Sequence, residues 1–186
     1  LHNHENTKFS DVSFVVMSSL FVPFSFTRLI YFRDIALHHP GKGYTNAHGI
    51  FLILFILFSA CMTDTCAYFA GSLLGKHKLC PKISPKKTVE GAIGGVLGDA
   101  LLCCLFALVF GMITGYSVNW FSLAVFLPIG AVVSIFGDLC ASIIKRQFGI
   151  KDYGNIMPGH GGILDRVDSI IMIAPTMYAL ILLSVI

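Results

Sequence analysis

Long apolar runs, broken by short polar segments, set the reading of this chain. Val12 to Phe32 is mostly apolar, with Pro23 and Arg28 inside it. Residues 49 to 74 are strongly apolar except for Asp64. Val89 to Thr114 is apolar, with Glu90 at its start and Asp99 within. Trp120 to Ile144 carries one acid, Asp138, and Val167 to Ile186 forms a last run. A helix needs about 20 apolar residues to cross a bilayer. Lipid accepts only helices or closed barrels, and these runs are too long and too uniformly apolar for barrel strands. The pattern predicts an all-α, polytopic membrane helical bundle with about five transmembrane helices. It divides into an N-terminal helix and polar loop over residues 1–48 and a second membrane region over 49–186. Two basic loops, 75–87 and 145–166, belong to the second part.

Composition sharpens this picture. Hydrophobic residues make up 55% of the 186 and charged residues 12%, against about 25% charged in soluble proteins. Mean hydropathy is +0.79. The net charge of +3 is too small to imply a polyanion, so no nucleic-acid partner is expected. Disorder and a disulfide miniprotein are excluded by the same numbers. The six cysteines form no CxxC, and most lie in apolar runs, where free Cys packs as a small hydrophobe. The chain starts at Leu1 and ends within an apolar run, which suggests a piece of a longer protein.

Charge is concentrated. Residues 64–90 and 142–168 each hold seven charged residues. Lys76, Lys78, Lys82, Lys86 and Lys87 fall in one loop, and Lys145, Arg146, Lys151 and Arg166 in another. Two helices separate these loops, so they share a side, which the positive-inside rule makes cytoplasmic. The turn 115–119 has no Lys or Arg; Arg28, Arg33 and Lys42 count mildly against the scheme. Gly91, Gly94, Gly95 and Gly98 interleave two GxxxG spacings and predict close helix packing.

An ionised Asp inside a membrane helix costs on the order of 2.5–3.5 kcal/mol and is functional by default. Asp138, Ser142 and Lys145 follow i, i+4, i+7 and form one polar stripe. Asp64, Tyr68 and Gly71 repeat that spacing, and for Asp64 a neutralised or capped acid is the competing reading. Asp99 has no polar companions nearby in sequence and reads as structural. The segment GNIMPGHGGILDRVD, residues 154–168, cannot be one continuous helix. Backbone N–H groups freed at Gly161 and Gly162 can wrap an anion. Asp165 and Asp168 share a face if a helix begins there, and with Asp138 they make a hard oxygen site suited to Mg²⁺. N-capping by Asp165 is the plainer alternative. Basic groups beside such a cation suggest polyphosphate chemistry. No Walker A loop or nucleophile elbow is present. His160 either orients phosphate or loop, or transfers a proton.

The residues then resemble a known family. SIIKR (Ser142–Arg146), KDYG (Lys151–Gly154) and PGHGGILDRVD (Pro158–Asp168) are similar, at fixed spacing, to the signature of phosphatidate cytidylyltransferase, or CDP-diacylglycerol synthase. TDTCAYFAG (Thr63–Gly71), GKHKL (Gly75–Leu79) and SPKKTVEG (Ser84–Gly91) resemble the same family, in its bacterial branch. Met157 stands where Leu, Ile or Phe is more usual, and Cys66 where Gly or Ala is common. The likeness covers roughly residues 50–186, and the family usually has more helices before that region. It implies the condensation of CTP with phosphatidic acid to CDP-diacylglycerol and pyrophosphate. It implies Asp138 and Asp165 on Mg²⁺ with Asp168 as a third ligand or neighbour, and Lys145, Arg146 and Arg166 on phosphates. Lys86 and Lys87 would bring charge to CTP. Ser142 and His160 would orient phosphate or the attacking group, and Lys151, Gly161, Gly162 and Asp64 would complete the substrate site. A second, monovalent cation such as K⁺ is also implied. So are the lipid bilayer as partner and a bacterial inner membrane, with the site near the cytoplasmic face. A homodimer stays open. A transporter with an intramembrane carboxylate site is the competing function.

Overall fold

In a computed structural model, residues 9–39, 41, 43–81, 83–150, 152–154, 162 and 164–183 are described. Five long helices carry the chain: α1 (Phe9–Arg33), α3 (Asn46–Leu74), α4 (Val89–Thr114), α5 (Trp120–Gln147) and α6 (Leu164–Leu182). A short α2 (Ile35–His38) lies between the first two. Four of the long helices have the length and composition to cross a membrane, and the apolar part of α6, Val167–Leu182, is shorter. The protein is a polytopic helical membrane protein.

The boundaries have local causes. Thr88 caps α4 by accepting a hydrogen bond from Gly91 N–H at 3.1 Å. Gly115, at φ +69°, ends the same helix in the left-handed conformation that favours glycine. Asn119 caps α5 through Ser122 N–H at 3.3 Å. Pro23 does not break α1, which runs through it; proline is tolerated in membrane helices where other groups satisfy the freed backbone.

The basic segment 75–87, expected as a loop, holds an antiparallel hairpin instead: β1 (Lys78–Cys80) and β2 (Ser84–Thr88). Its register pairs Lys78 with Thr88 and Cys80 with Ser84. Glu90 anchors its base, accepting from His77 Nδ1 at 2.6 Å and from His77 N–H at 3.2 Å.

Helix α4 packs against α3 along its small-residue face, as the GxxxG spacing predicts. A Cβ at Gly95 would lie 2.9 Å from Ala67 Cβ, and one at Gly98 would lie 2.6 Å from Cys66 Cβ and Sγ. Asp99 is fully buried beside this contact. One companion comes from across the contact, Ser59 Oγ on α3 donating at 3.1 Å, and the other from one turn along α4, Cys103 Sγ donating at 3.2 Å. The structural reading of Asp99 therefore fits its surroundings. The six cysteines are free thiols.

The two ends of the bundle differ. Phe14 near the start of α1 meets Phe148 beyond α5, 5.1 Å between ring centres. At the other end Tyr31 meets Tyr178 at 5.0 Å and His48 meets Tyr116 at 4.7 Å. The hairpin and the C-terminal end of α5 share the first end, since Arg146 Nε donates to Ile83 O at 3.5 Å. The two basic segments thus lie together, as the charge pattern predicts. Arg28 and Arg33 lie toward the opposite end. Arg28 is held 4.2 Å from the ring centres of both Phe24 and Tyr178, and Arg33 pairs with Asp34 at 2.9 Å. Lys42 and Lys82 lie outside the described residues.

Candidate active site

A cavity of about 760 Å³ opens at the basic end, between the α3–hairpin–α4 unit and the α5–α6 pair. Asp64 and Tyr68 reach it from α3, and Lys78, Lys86 and Lys87 from the hairpin. Asp138 and Lys145 come from α5, Asp152 from the following loop, and Asp165 and Asp168 from α6.

Close packing positions the hairpin lysines. A Cβ at Gly71, Gly75 or Gly91 would fall 2.9 Å from Thr88 Oγ1, so the Thr88 side chain fits only because all three are glycine. Thr88 is thereby pinned between α3 and α4, and Lys87 projects from the adjacent backbone position. There it forms an ion pair with Asp138, each side chain about a quarter exposed. The stripe read from sequence joined Asp138 to Lys145; the structure pairs each of them elsewhere.

Lys145 Nζ donates to Asp165 Oδ1 at 2.8 Å and lies 4.0 Å from Asp168 Oδ2. Asp165 Oδ2 accepts from the N–H groups of Tyr153 at 2.8 Å and Gly162 at 3.0 Å. This one carboxylate ties α5, the loop after it and the start of α6 together. The Gly162 N–H, expected to be free for an anion, is engaged by Asp165. Asp165 and Asp168 do share the first turns of one helix. Asp64 Oδ2 accepts from Ser169 Oγ at 3.3 Å, and the Ser169 N–H donates to Asp168 Oδ1 at 2.9 Å. Burial, and then the charges of Asp168 and Asp165, push the Tyr153 phenol above its usual 10.0. Its hydroxyl donates to Ala141 O at 3.3 Å, and its ring centre is 5.2 Å from Lys145 Nζ.

Asp64, Lys86, Lys87, Asp138, Lys145, Asp165 and Asp168 are therefore gathered as the sequence predicts. Arg146 is exposed and bonded to the hairpin backbone, outside the lining. Ser142 is half-buried on α5 and also outside it. Lys151, His160 and Gly161 lie outside the described residues, as does the side chain of Arg166. Tyr153 stands within the KDYG motif and Ser169 beside Asp168, but the sequence singles out neither as a site residue. Among the described residues no three His, Cys, Asp or Glu side chains converge on one point.

Residues 1–184 match the model of the cytidylyltransferase family. A protein of Staphylococcus saprophyticus named phosphatidate cytidylyltransferase is 39% identical over 174 residues, covering 94% of this chain and 60% of the relative. Proteins of the same name from Staphylococcus aureus (strain COL) and Staphylococcus haemolyticus are also 39% identical, covering 95% and 94% of the chain and 61% and 60% of theirs. The chain thus spans about 60% of the length of these relatives.

Proposed function

The chain belongs to the cytidylyltransferase family, and from that membership we propose that it condenses CTP with phosphatidic acid, releasing CDP-diacylglycerol and pyrophosphate. The observation that carries this reading is the cavity where Lys86, Lys87 and Lys145 meet Asp64, Asp138, Asp165 and Asp168 at one end of a membrane bundle. A lipid held by its acyl chains and a water-soluble nucleotide can meet only at such a boundary. We place that boundary at the cytoplasmic face of a bacterial inner membrane, on the strength of the shared basic end.

In this reading an oxygen of the lipid phosphate bonds to the α-phosphorus of CTP, and the bond to the β-phosphate oxygen breaks. The lipid phosphate is already an anion. Its reaction needs in-line alignment and relief of charge repulsion more than a strong base. Lys86 and Lys87 approach the nucleotide phosphates from the hairpin. Lys145 neutralises charge on the reacting and leaving phosphates. Asp165 holds Lys145 and the loop in register for this task.

The donor set fits Mg²⁺. Carboxylate oxygens are hard ligands, and Mg²⁺ commonly takes one or two of them and leaves its other positions to water and phosphate. That preference matches a cavity whose carboxylates do not close on a single point. Asp138, Asp165 and Asp168 would hold the ion. Bound there, it would neutralise charge across phosphate oxygens.

The test is conversion of labelled CTP to lipid-soluble product by the complete gene product in detergent, with phosphatidic acid and Mg²⁺. Label should enter lipid in the wild type and fall to background in a folded Asp138→Asn variant. A folded wild type that makes no nucleotide-lipid, yet moves a solute across vesicles, would replace this reading with transport.

A further inference from the structure

We propose that Lys87 is a displaceable counter-ion of Asp138, and that this exchange makes cation binding and nucleotide binding in the cavity depend on each other. The inference rests on the reading above and extends it to the order in which the site is filled.

Among the described residues, the two closest lysine–carboxylate pairs in the cavity are built differently. Lys145 and Asp165 are 12% and 8% exposed, and the second oxygen of Asp165 is held by two backbone N–H groups. Breaking that pair would leave a buried charge without a partner and release the loop. Lys87 and Asp138 are 25% and 26% exposed. Water reaches both, so their separation exposes no sealed charge. The Lys87 backbone is fixed by its neighbour Thr88 in the glycine slot, so the exchange is confined to the side chain.

A divalent cation arriving alone competes with the Lys87 ammonium for Asp138. It finds no three carboxylates already converged among the described residues. A triphosphate arriving alone competes with Asp138 for Lys87 in a cavity also lined by the carboxyl groups of Asp64 and Asp168. When both arrive, the cation takes Asp138 while the phosphates take Lys87. Each ligand removes the other's competitor, which is positive coupling between two binding events.

The test uses single ligands. Mn²⁺ binding to the purified complete chain in detergent is read from the free-ion electron paramagnetic resonance signal, without nucleotide. Labelled CTP binding is read by equilibrium dialysis, with EDTA or with Mg²⁺. Lys87→Gln should bind Mn²⁺ about tenfold tighter than the wild type, a typical coupling, and Lys87→Arg should match the wild type. Asp138→Asn frees the lysine from the other side and should bind metal-free CTP about tenfold tighter. This gain is the reverse of what loss of a site residue ordinarily does. If the wild type retains CTP with Mg²⁺ but neither substitution tightens its single ligand, the exchange is overturned and the nucleotide reading stands. If the wild type retains no CTP under either condition, the nucleotide reading falls and this inference falls with it.

Discussion

Replacing Gly98 by alanine should part α3 from α4 at the level of Asp99. The added Cβ lands 2.6 Å from both Cβ and Sγ of Cys66. Carbon atoms in ordinary contact sit about 3.5–4.0 Å apart, so the helices must separate by about 1 Å. Rotating the Cys66 thiol away does not help, because its Cβ clashes as well. The bond from Ser59 Oγ to Asp99 Oδ2, now 3.1 Å, then stretches past hydrogen-bonding range. Overpacking costs about 1–3 kcal/mol, and a buried acceptor short of its donor adds about 1–3 kcal/mol. The better helix propensity of alanine returns about 0.5–1 kcal/mol. The net expectation is a loss of about 1–5 kcal/mol. A double-mutant cycle with Cys66→Gly, read by reversible unfolding in mixed micelles, isolates the contact. The second substitution removes both clashing atoms, so the pair should recover most of the loss, with a coupling of at least about 1 kcal/mol. A Gly98→Ala protein as stable as the wild type would refute the reasoning, as would two effects that simply add.

Three further expectations follow from the same geometry. Asp138→Asn should lower nucleotide-lipid synthesis by about 10²-fold or more in a steady-state assay, as loss of a ligand to a charge-neutralising cation would. Lys145→Met strips Asp165 of its buried partner and should cost about 3–5 kcal/mol of unfolding free energy; a variant with wild-type stability would contradict the pairing. Glu90→Ala removes the carboxylate that holds His77, and the Val89 N–H that bonds His77 O at 2.9 Å should lose at least about tenfold protection in hydrogen exchange.

The membrane helices were legible because unbroken apolar length is an almost sufficient signal for them. That α4 packs closely against a neighbour was legible from the spacing of four glycines; that the neighbour is α3 was not. The hairpin was not, since SPKKT (Ser84–Thr88) has no apolar alternation and contains a proline. What makes it is external: Glu90 clamps its base and three glycines receive Thr88. The site acids stood out because charge within an apolar run is rare. Their partners did not, because spacing along one helix says nothing about which helix lies opposite. Asp138 and Lys145 share a stripe on α5 yet reach Lys87 and Asp165 instead. Asp99 looked solitary for the same reason, its main companion Ser59 being on another helix.

The order of these pairings along the chain bears on how the protein enters a bilayer as it is made. Lys87 is synthesised before Asp138, and Lys145 before Asp165, so in each ion pair the cation emerges first. Ser59 likewise precedes Asp99. A nascent α5 or α6 therefore brings its acid into a membrane where the matching donor is already installed. Asp64 is the exception, since the Ser169 hydroxyl that bonds it arrives 105 residues later. Among the described residues it is an acid left waiting during insertion, beside the unfinished cavity that α6 closes.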